Sequence, residues 1–207
     1  MFEHLPLWLG GLLRNVRAGH AKLLIVQDGI VTGPASLSLR SPAFADGERL
    51  PERFTADGAG ISPPLFWSNV PEGTASLALL VEDPDAPTPQ PLVHAVVWAI
   101  PPLQDQLSEG AIRADGAETG GTDVGRNSLF SEGWLPPDPP NGHGSHDYVF
   151  QLFALSEAPD IGRNPGRSDL AKALKGRVLA AGMLVGTYSR GEARPLPVGS
   201  AAVMPVR

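Results

Sequence analysis

Three things are missing from this sequence, and each absence excludes a class of protein. There is no cysteine among the 207 residues, which excludes disulfides, thiolate metal sites and cysteine nucleophiles. Lys and Arg number 16 against 22 Asp and Glu, so the basic surface of a nucleic-acid-binding protein is not expected. No apolar run approaches the roughly 20 residues of a membrane-spanning helix.

The short motifs of several large enzyme classes are absent too. The sequence has no G-x-S-x-G elbow, no G-x-x-x-x-G-K-[ST] loop and no G-x-G-x-x-G after a strand. These absences argue against an α/β-hydrolase, a P-loop nucleotide hydrolase and a dinucleotide-dependent enzyme.

Glycine and proline, by contrast, are abundant, with 24 and 22 residues. Because both break helix interiors, a helical bundle is not expected, while 42% hydrophobic residues is enough to form a core. The pattern predicts one mainly β domain over residues 36–190, a helical extension over residues 1–35 and a tail over residues 191–207.

The N-terminal extension predicts an amphipathic helix, because apolar residues recur with helical spacing between Leu5 and Val16. We expect it to pack on the domain or on a second copy of the chain, forming a homodimer; a helix lying on a membrane surface is the alternative. Glu3 precedes the apolar run and Arg14 follows it, the reverse of the charge order in a signal peptide. We therefore expect a cytoplasmic protein.

Five apolar runs predict β-strands separated by proline-rich connectors. They lie at residues 36–41, 76–83, 92–100, 147–155 and 182–190. The three longest are apolar at nearly every position, so both of their faces should be buried. One amphipathic helix is expected to begin at an N-cap formed by Ser168 and to end at Gly182.

A pair of aspartates follows the second of these strands. Asp83 and Asp85 lie in the segment DPDAP, where Pro84 and Pro87 stiffen the backbone and orient the carboxylates. The arrangement is compatible with a binding site and equally with two solvated aspartates in a turn.

A single histidine interrupts the next strand. Strict alternation places His94 on the same face as Val96 and Trp98. A titratable ring in an apolar strand needs a hydrogen-bond partner, and Asp83 or Asp85 is the natural candidate if the two strands pair. A purely structural histidine is the alternative.

A third polar cluster opens the strand at residues 147–155. His146 and Tyr148 share one face there, and His143 lies in the glycine-rich loop before them. Pro139 and Pro140 form a rigid wall with few backbone donors. Imidazole and phenol groups donate hydrogen bonds to small anions, and nearby aspartates would orient the histidines.

Two enzymatic interpretations use the same residues. A metal-dependent hydrolase would take His143, His146, Asp83 and Asp85 as ligands. A serine hydrolase would take Ser145 as its nucleophile, but adjacent strand residues point to opposite faces, so His146 is badly placed to activate it.

These segments, in this order, resemble the phosphatidylethanolamine-binding protein (PEBP) family, also called Raf-kinase-inhibitor-like proteins, and its bacterial YbhB/YbcL-like branch. The resemblance covers residues 36–190 and rests on DPDAP at 83–87, HAVVWAIP at 94–101, PPDPPNGHGSHDY at 136–148 and LVGTYSR at 184–190. A DPDAP segment followed by a strand histidine and then by PP…H-x-Y is a specific combination.

The resemblance implies a large central antiparallel sheet flanked by a smaller sheet and a C-terminal helix, with a small anion-binding pocket at the sheet edge. It implies binding of phosphate or phosphorylated head groups, kinase or protease inhibition in some members, and no common catalytic activity. The family's pocket residues correspond here to Asp83, Asp85, Pro87, His94, Pro139, Pro140, His146 and Tyr148.

The chain departs from the family pattern at its pocket. Asp147 replaces the arginine of the family's H-R-Y, and Asp138 lies inside the proline loop. Leu92 and Val93 stand where the family often has an aromatic residue before the strand histidine. We expect the two acidic residues to lower the positive potential near the pocket mouth.

We therefore expect a mainly β, PEBP-like protein that binds a small anion and has no enzymatic activity, metal or cofactor. Asp83 is expected to hold an imidazole in the tautomer that donates to the ligand. Affinity should then fall as pH rises through the pKa values of the histidines. The metal-dependent hydrolase is one alternative, and an interaction module that binds a protein partner through its N-terminal helix is the other.

Overall fold

Two antiparallel β-sheets and one α-helix make up the computed structural model, which describes residue 13 and residues 15–30, 36–114 and 122–190. The small sheet contains β1 (Ser38–Arg40), β2 (Leu65–Ser68) and β5 (Gln106–Leu107), in the order β1-β2-β5. The large sheet contains β3 (Ser76–Asp83), β4 (Leu92–Ile100), β6 (Asp123–Val124), β7 (His146–Leu155) and β8 (Val178–Tyr188), in the order β6-β4-β3-β7-β8. The helix, α1 (Arg167–Leu174), precedes β8. The predicted mainly β fold class is confirmed.

The long strands form where the sequence has its apolar runs. β3 and β4 have the predicted bounds, and β7 begins one residue earlier than predicted, at His146. All eight residues of β3 are buried, which confirms that this strand is covered on both faces. β2, β5 and β6 were not predicted, because two to four residues are too few to show a periodicity.

The large sheet separates two hydrophobic cores. Its front face, with Val81 and Phe150, packs against the small sheet through residues such as Trp67. Its back face, with Leu80 and Phe153, packs against α1 and the N-terminal segment. Because successive residues of a strand point to opposite faces, the all-apolar strands supply both cores at once.

The predicted helix over residues 168–182 is wrong in both of its ends. α1 begins at Arg167 after an N-cap at Gly166, whose N–H donates to the Asp169 carboxylate at 3.0 Å. It ends at Leu174, because Gly176 adopts a φ of 71°, a left-handed conformation that ends helices. Val178 therefore belongs to β8 and not to the helix.

The N-terminal extension runs along the back face. The helix predicted over residues 5–18 lies largely outside the described residues, and the described part forms only 3₁₀ turns, at His20–Lys22 and Leu24–Val26. We call residues 15–30 the strap; it buries Leu24 and Ile30 in the back core. The homodimer expected from the helix stays a prediction, and the tail at 191–207 also lies outside the described residues. No helix in the described ranges has the length and apolarity needed to cross a bilayer.

Candidate functional site

A cavity of about 270 Å³ opens at the edge of the large sheet where β3 ends and where β4 and β7 begin. These three ends meet because the strands are antiparallel neighbours. Six of the eight predicted pocket residues line it: Asp83, Pro87, His94, Pro139, Pro140 and His146. Asp85 and Tyr148 do not line the cavity, and most of the remaining wall is apolar.

A β-bulge places His94 in this cavity. Val81 pairs with Ala95 and Glu82 pairs with Val93, so His94 is an extra residue between two consecutive pairs. The bulge rotates the strand, and His94 therefore shares the front face with Ala95, opposite Val96 in the back core. The prediction from strict alternation, which grouped His94 with Val96 and Trp98, was wrong for this reason.

The ring of His94 is held by a backbone carbonyl and not by an aspartate. Its Nδ1 lies 2.6 Å from the oxygen of Leu135, and since a carbonyl only accepts, Nδ1 carries the proton. Nε2 is buried and has no hydrogen-bond partner within the described part of the chain. Burial lowers the pKa of His94, against the opposing effect of Asp83. His94 therefore keeps an unprotonated, buried Nε2, and the residue lines the cavity.

Asp83 orients His146 instead. Its Oδ2 accepts a hydrogen bond from His146 Nδ1 at 2.8 Å, while its Oδ1 accepts the N–H groups of Asp85 at 2.7 Å and Ala86 at 3.0 Å. The proposed pairing of Asp83 with His94 is thus corrected, although Asp83 does fix the tautomer of an imidazole. The turn imposed by DPDAP supplies the two amide donors.

His143 and His146 share a proton. His143 Nδ1 lies 2.7 Å from His146 Nε2, and His143 Nε2 lies 2.8 Å from the carbonyl oxygen of Leu13, so it donates there. With His146 Nδ1–H directed at Asp83, the contact between the two rings needs one further proton. Burial, followed by the charge on His146, lowers the pKa of His143. Asp83, His146 and His143 thus form one hydrogen-bonded chain that ends at the Leu13 carbonyl.

Tyr148 lies beneath His94 on the same face. The two rings meet edge to face with centroids 5.0 Å apart, and Tyr148 is fully buried. Its hydroxyl has no hydrogen-bond partner within the described residues. Burial, followed by the Asp83 charge, raises the pKa of Tyr148 well above its ordinary value. The phenol is therefore neutral and keeps a proton to donate.

Arg190 forms an ion pair with Asp138 at the pocket mouth. Its guanidinium contacts Asp138 and binds both carboxylate oxygens of Asp57, with Nε to Oδ2 at 2.8 Å. Its hydrogen bonds chiefly lower the pKa of Asp57, and the two carboxylates raise the pKa of Arg190 against the effect of its burial. Asp138 is therefore ion-paired with a guanidinium that also binds Asp57, and its effect on the potential stays a prediction.

Asp85 and Asp147 point away from the cavity, toward the strap. Asp85 pairs with Arg17 and accepts the N–H of Asp147 at 2.7 Å, while Asp147 lies 3.0 Å from His20 Nε2. The four side chains join the strap to the DPDAP turn. Asp147 thus lies on the back face, away from the cavity.

The predicted metal-ligand set does not converge. The facing nitrogens of His143 and His146 are hydrogen-bonded 2.7 Å apart. Two nitrogens on one zinc ion would stand about 3.3 Å apart at ordinary Zn–N distances. Ligand atoms of His20, Asp85 and Asp147 do lie within 4.8 Å of one another, but the Arg17 guanidinium already neutralises Asp85 there.

Three features of this site were not predicted from the sequence: the burial of His143, the Leu135 carbonyl and the Arg190 guanidinium. Arg190 closes the string LVGTYSR and could have been noticed as a charge at the end of a strand. The other two depend on loop conformation, for which the sequence carries no periodic pattern.

The fold and the edge cavity agree with the outcome of a family comparison. Residues 40–189 match the family described as phosphatidylethanolamine-binding protein. This chain belongs to the phosphatidylethanolamine-binding protein family.

Its relatives include bacterial proteins of similar size. It is 39% identical to a UPF0098 protein of Aquifex aeolicus over 160 residues, which is 76% of this chain and 91% of the relative. It is similar to the crystal structure of Escherichia coli YbcL, a PEBP family member, with a TM-score of 0.70 and 32% identity over 75% of this chain and 99% of that one. A PEBP homologue from Chlamydia trachomatis gives a TM-score of 0.68 at 32% identity, with the same coverage.

Proposed function

We propose that this chain is a binding protein, not an enzyme, and that it holds a small ligand with a phosphate-type head group in the cavity at His94. The observation that carries the proposal is the buried Nε2 of His94, which lines the cavity and has no partner in the described chain. A buried polar atom without a partner is costly, and a ligand group that bonds to it removes that cost.

The rest of the cavity suits such a ligand. His146 borders it, and its ring is held in place by Asp83 and His143. Leu92, Leu129 and Pro87 line the wall and can cover the apolar part of an esterified head group.

Two features speak against catalysis by the same residues. Both ring nitrogens of His146 are engaged, by Asp83 and by His143, so His146 has no free position for proton transfer to a substrate. Ser145 is exposed and its neighbour His146 is buried, so the two side chains do not form a nucleophile–base pair.

A regulatory role through a protein partner would use the mouth of the cavity. Leu129 lines the cavity, and the adjacent Phe130 is 82% exposed. A partner that covers this loop would contact the ligand site, so ligand occupancy and partner binding would affect each other.

The proposal is tested by calorimetric titration of phosphoethanolamine at about pH 6 into wild type, His94→Ala and His20→Ala. We expect at least a tenfold loss of affinity in His94→Ala, because a buried contact to a charged ligand is lost. His20 is exposed and lies on the back face, so His20→Ala is the matched control and should bind as wild type does. Equal affinity in all three proteins, or no binding to wild type, would overturn the proposal.

A further inference from the structure

The hydrogen bonding of His94 also indicates which kind of group a ligand must offer to it. Its only ring proton is donated to the Leu135 carbonyl, so the buried Nε2 is a hydrogen-bond acceptor, and His94 lines the cavity. An unprotonated phosphate oxygen is also an acceptor. The two would repel each other unless one of them brings a proton.

The protein does not readily provide that proton. His94 is fully buried, and burial lowers its pKa. The charged group that could offset this, Asp83, already accepts three hydrogen bonds, one of them from His146. The remaining titratable neighbours are Tyr148, which is neutral, and Asp138, which is paired with Arg190.

The cavity also lacks the cations that a fully ionised phosphate requires. Within the described chain, no lysine or arginine lines it. Arg190 lies beside it but is bound to Asp57 and Asp138, and His146 is bound to Asp83. A singly charged head group is therefore matched to this cavity, and a doubly charged one is not.

We propose that the cavity selects the monoprotonated form of a phosphate or phosphonate head group, whose P–O–H donates to His94 Nε2. This inference rests on the proposed function and adds the protonation state of the ligand to it. Discrimination is against the dianion of the same ligand and against tetrahedral anions that carry no proton near neutral pH, such as sulfate.

The test measures the affinity of wild-type protein as a function of pH for methyl phosphate, inorganic phosphate and methylphosphonate. Their second pKa values increase in that order. If only the monoanion binds, the apparent Kd rises about tenfold per pH unit above the pKa of each ligand. The midpoints of the three curves should therefore differ and follow the ligands, and sulfate should bind at least about tenfold more weakly than phosphate at pH 6.

The outcomes distinguish failure of this inference alone from failure of the proposed function. Binding with one midpoint common to all three ligands would mean that a protein group titrates, and would overturn the inference while leaving the ligand site intact. Sulfate binding as tight as phosphate binding would overturn it too. Failure of every ligand at every pH would overturn both.

A variant gives an independent check. The amide of His94→Gln can either donate or accept, so we expect it to lose discrimination and to bind sulfate and phosphate within about threefold of each other. If discrimination persists in a folded His94→Gln protein, another group selects the protonated ligand. The three-ligand series on wild type stands whether or not this variant folds.

Discussion

Buried polar side chains on the two faces of the large sheet differ in their hydrogen bonding. On the back face, the buried Glu82 accepts hydrogen bonds from the Leu24 N–H at 2.9 Å, from Gln151 Nε2 at 2.8 Å and from Arg167. Gln151 Oε1 accepts the Ile25 N–H at 2.8 Å. On the front face, His94 Nε2 and the Tyr148 hydroxyl are equally buried and have no partner in the described chain.

The difference separates buried polar groups that stabilise the fold from buried polar groups that are candidates for contact with a ligand. Buried groups that are fully partnered stabilise the protein and fix the position of the strap. Buried groups left without partners destabilise it, and of the two on the front face His94 also lines the cavity. The same strands, β3, β4 and β7, supply both kinds of group, because alternation sends neighbouring residues to opposite faces.

Removing Glu82 should have the largest effect on stability. Glu82→Ala leaves Arg167 and two amide donors without their acceptor in the back core, and loss of one partner of a buried ion pair costs about 3–5 kcal/mol. Urea denaturation measures this. Glu109→Ala is the control, since its ion pair with Arg53 is exposed and should contribute less than about 1 kcal/mol. Similar losses in the two variants would contradict the structural role of the back-face network.

Loss of the Tyr188 hydroxyl should lower stability by an intermediate amount, and loss of the Tyr148 hydroxyl should hardly change it. Tyr188→Phe removes a hydroxyl that donates to Asp57 Oδ2 at 2.7 Å and should lower the free energy of unfolding by about 1.5–3 kcal/mol, as is usual for a hydrogen bond to a charged group. Tyr148→Phe removes a hydroxyl that has no partner in the described chain. It should change the free energy of unfolding by less than about 0.5 kcal/mol in ligand-free protein. Equal destabilisation by the two substitutions would show that the Tyr148 hydroxyl is bonded within the protein.

The pH dependence of stability should show the smallest effect. Burial lowers the folded-state pKa of His94 and of His143. As pH falls below the ordinary histidine value of 6.5, the unfolded chain therefore binds more protons and the free energy of unfolding decreases. Each histidine adds a slope of at most about 1.4 kcal/mol per pH unit. In His94→Gln this decrease should be shallower between pH 6.5 and 5, and identical slopes in variant and wild type would refute the neutral state of buried His94.

Sequence alone predicted much of this arrangement because apolar runs and proline punctuation mark long strands directly. The strands at 76–83 and 92–100 were predicted with their bounds, and so were six of the residues that line the cavity. Glu82 and Gln151 could have been found, since each is a polar residue inside an otherwise apolar strand.

The remaining features depend on interactions between distant parts of the chain. The bulge at His94 depends on the register of β3 against β4, which alternation within a single strand does not reveal. The pairing of Asp83 with His146 spans 63 residues, and that of His143 with Leu13 spans 130. The end of α1 was misjudged because Gly176 was not recognised as the stop, and the apolar residues after it continued the helical spacing by chance.

The strap has a consequence for how this chain folds as it is synthesised. Its residues leave the ribosome before the central strands, and the Gln151 oxygen that binds the Ile25 N–H is made 126 residues later. The strap therefore cannot form this contact until β7 exists, and the contact is of high sequence separation. A chain shortened to the matched family region at 40–189 would present Glu82 and Gln151 to water along an uncovered sheet face. The folding unit is thus larger than the family domain.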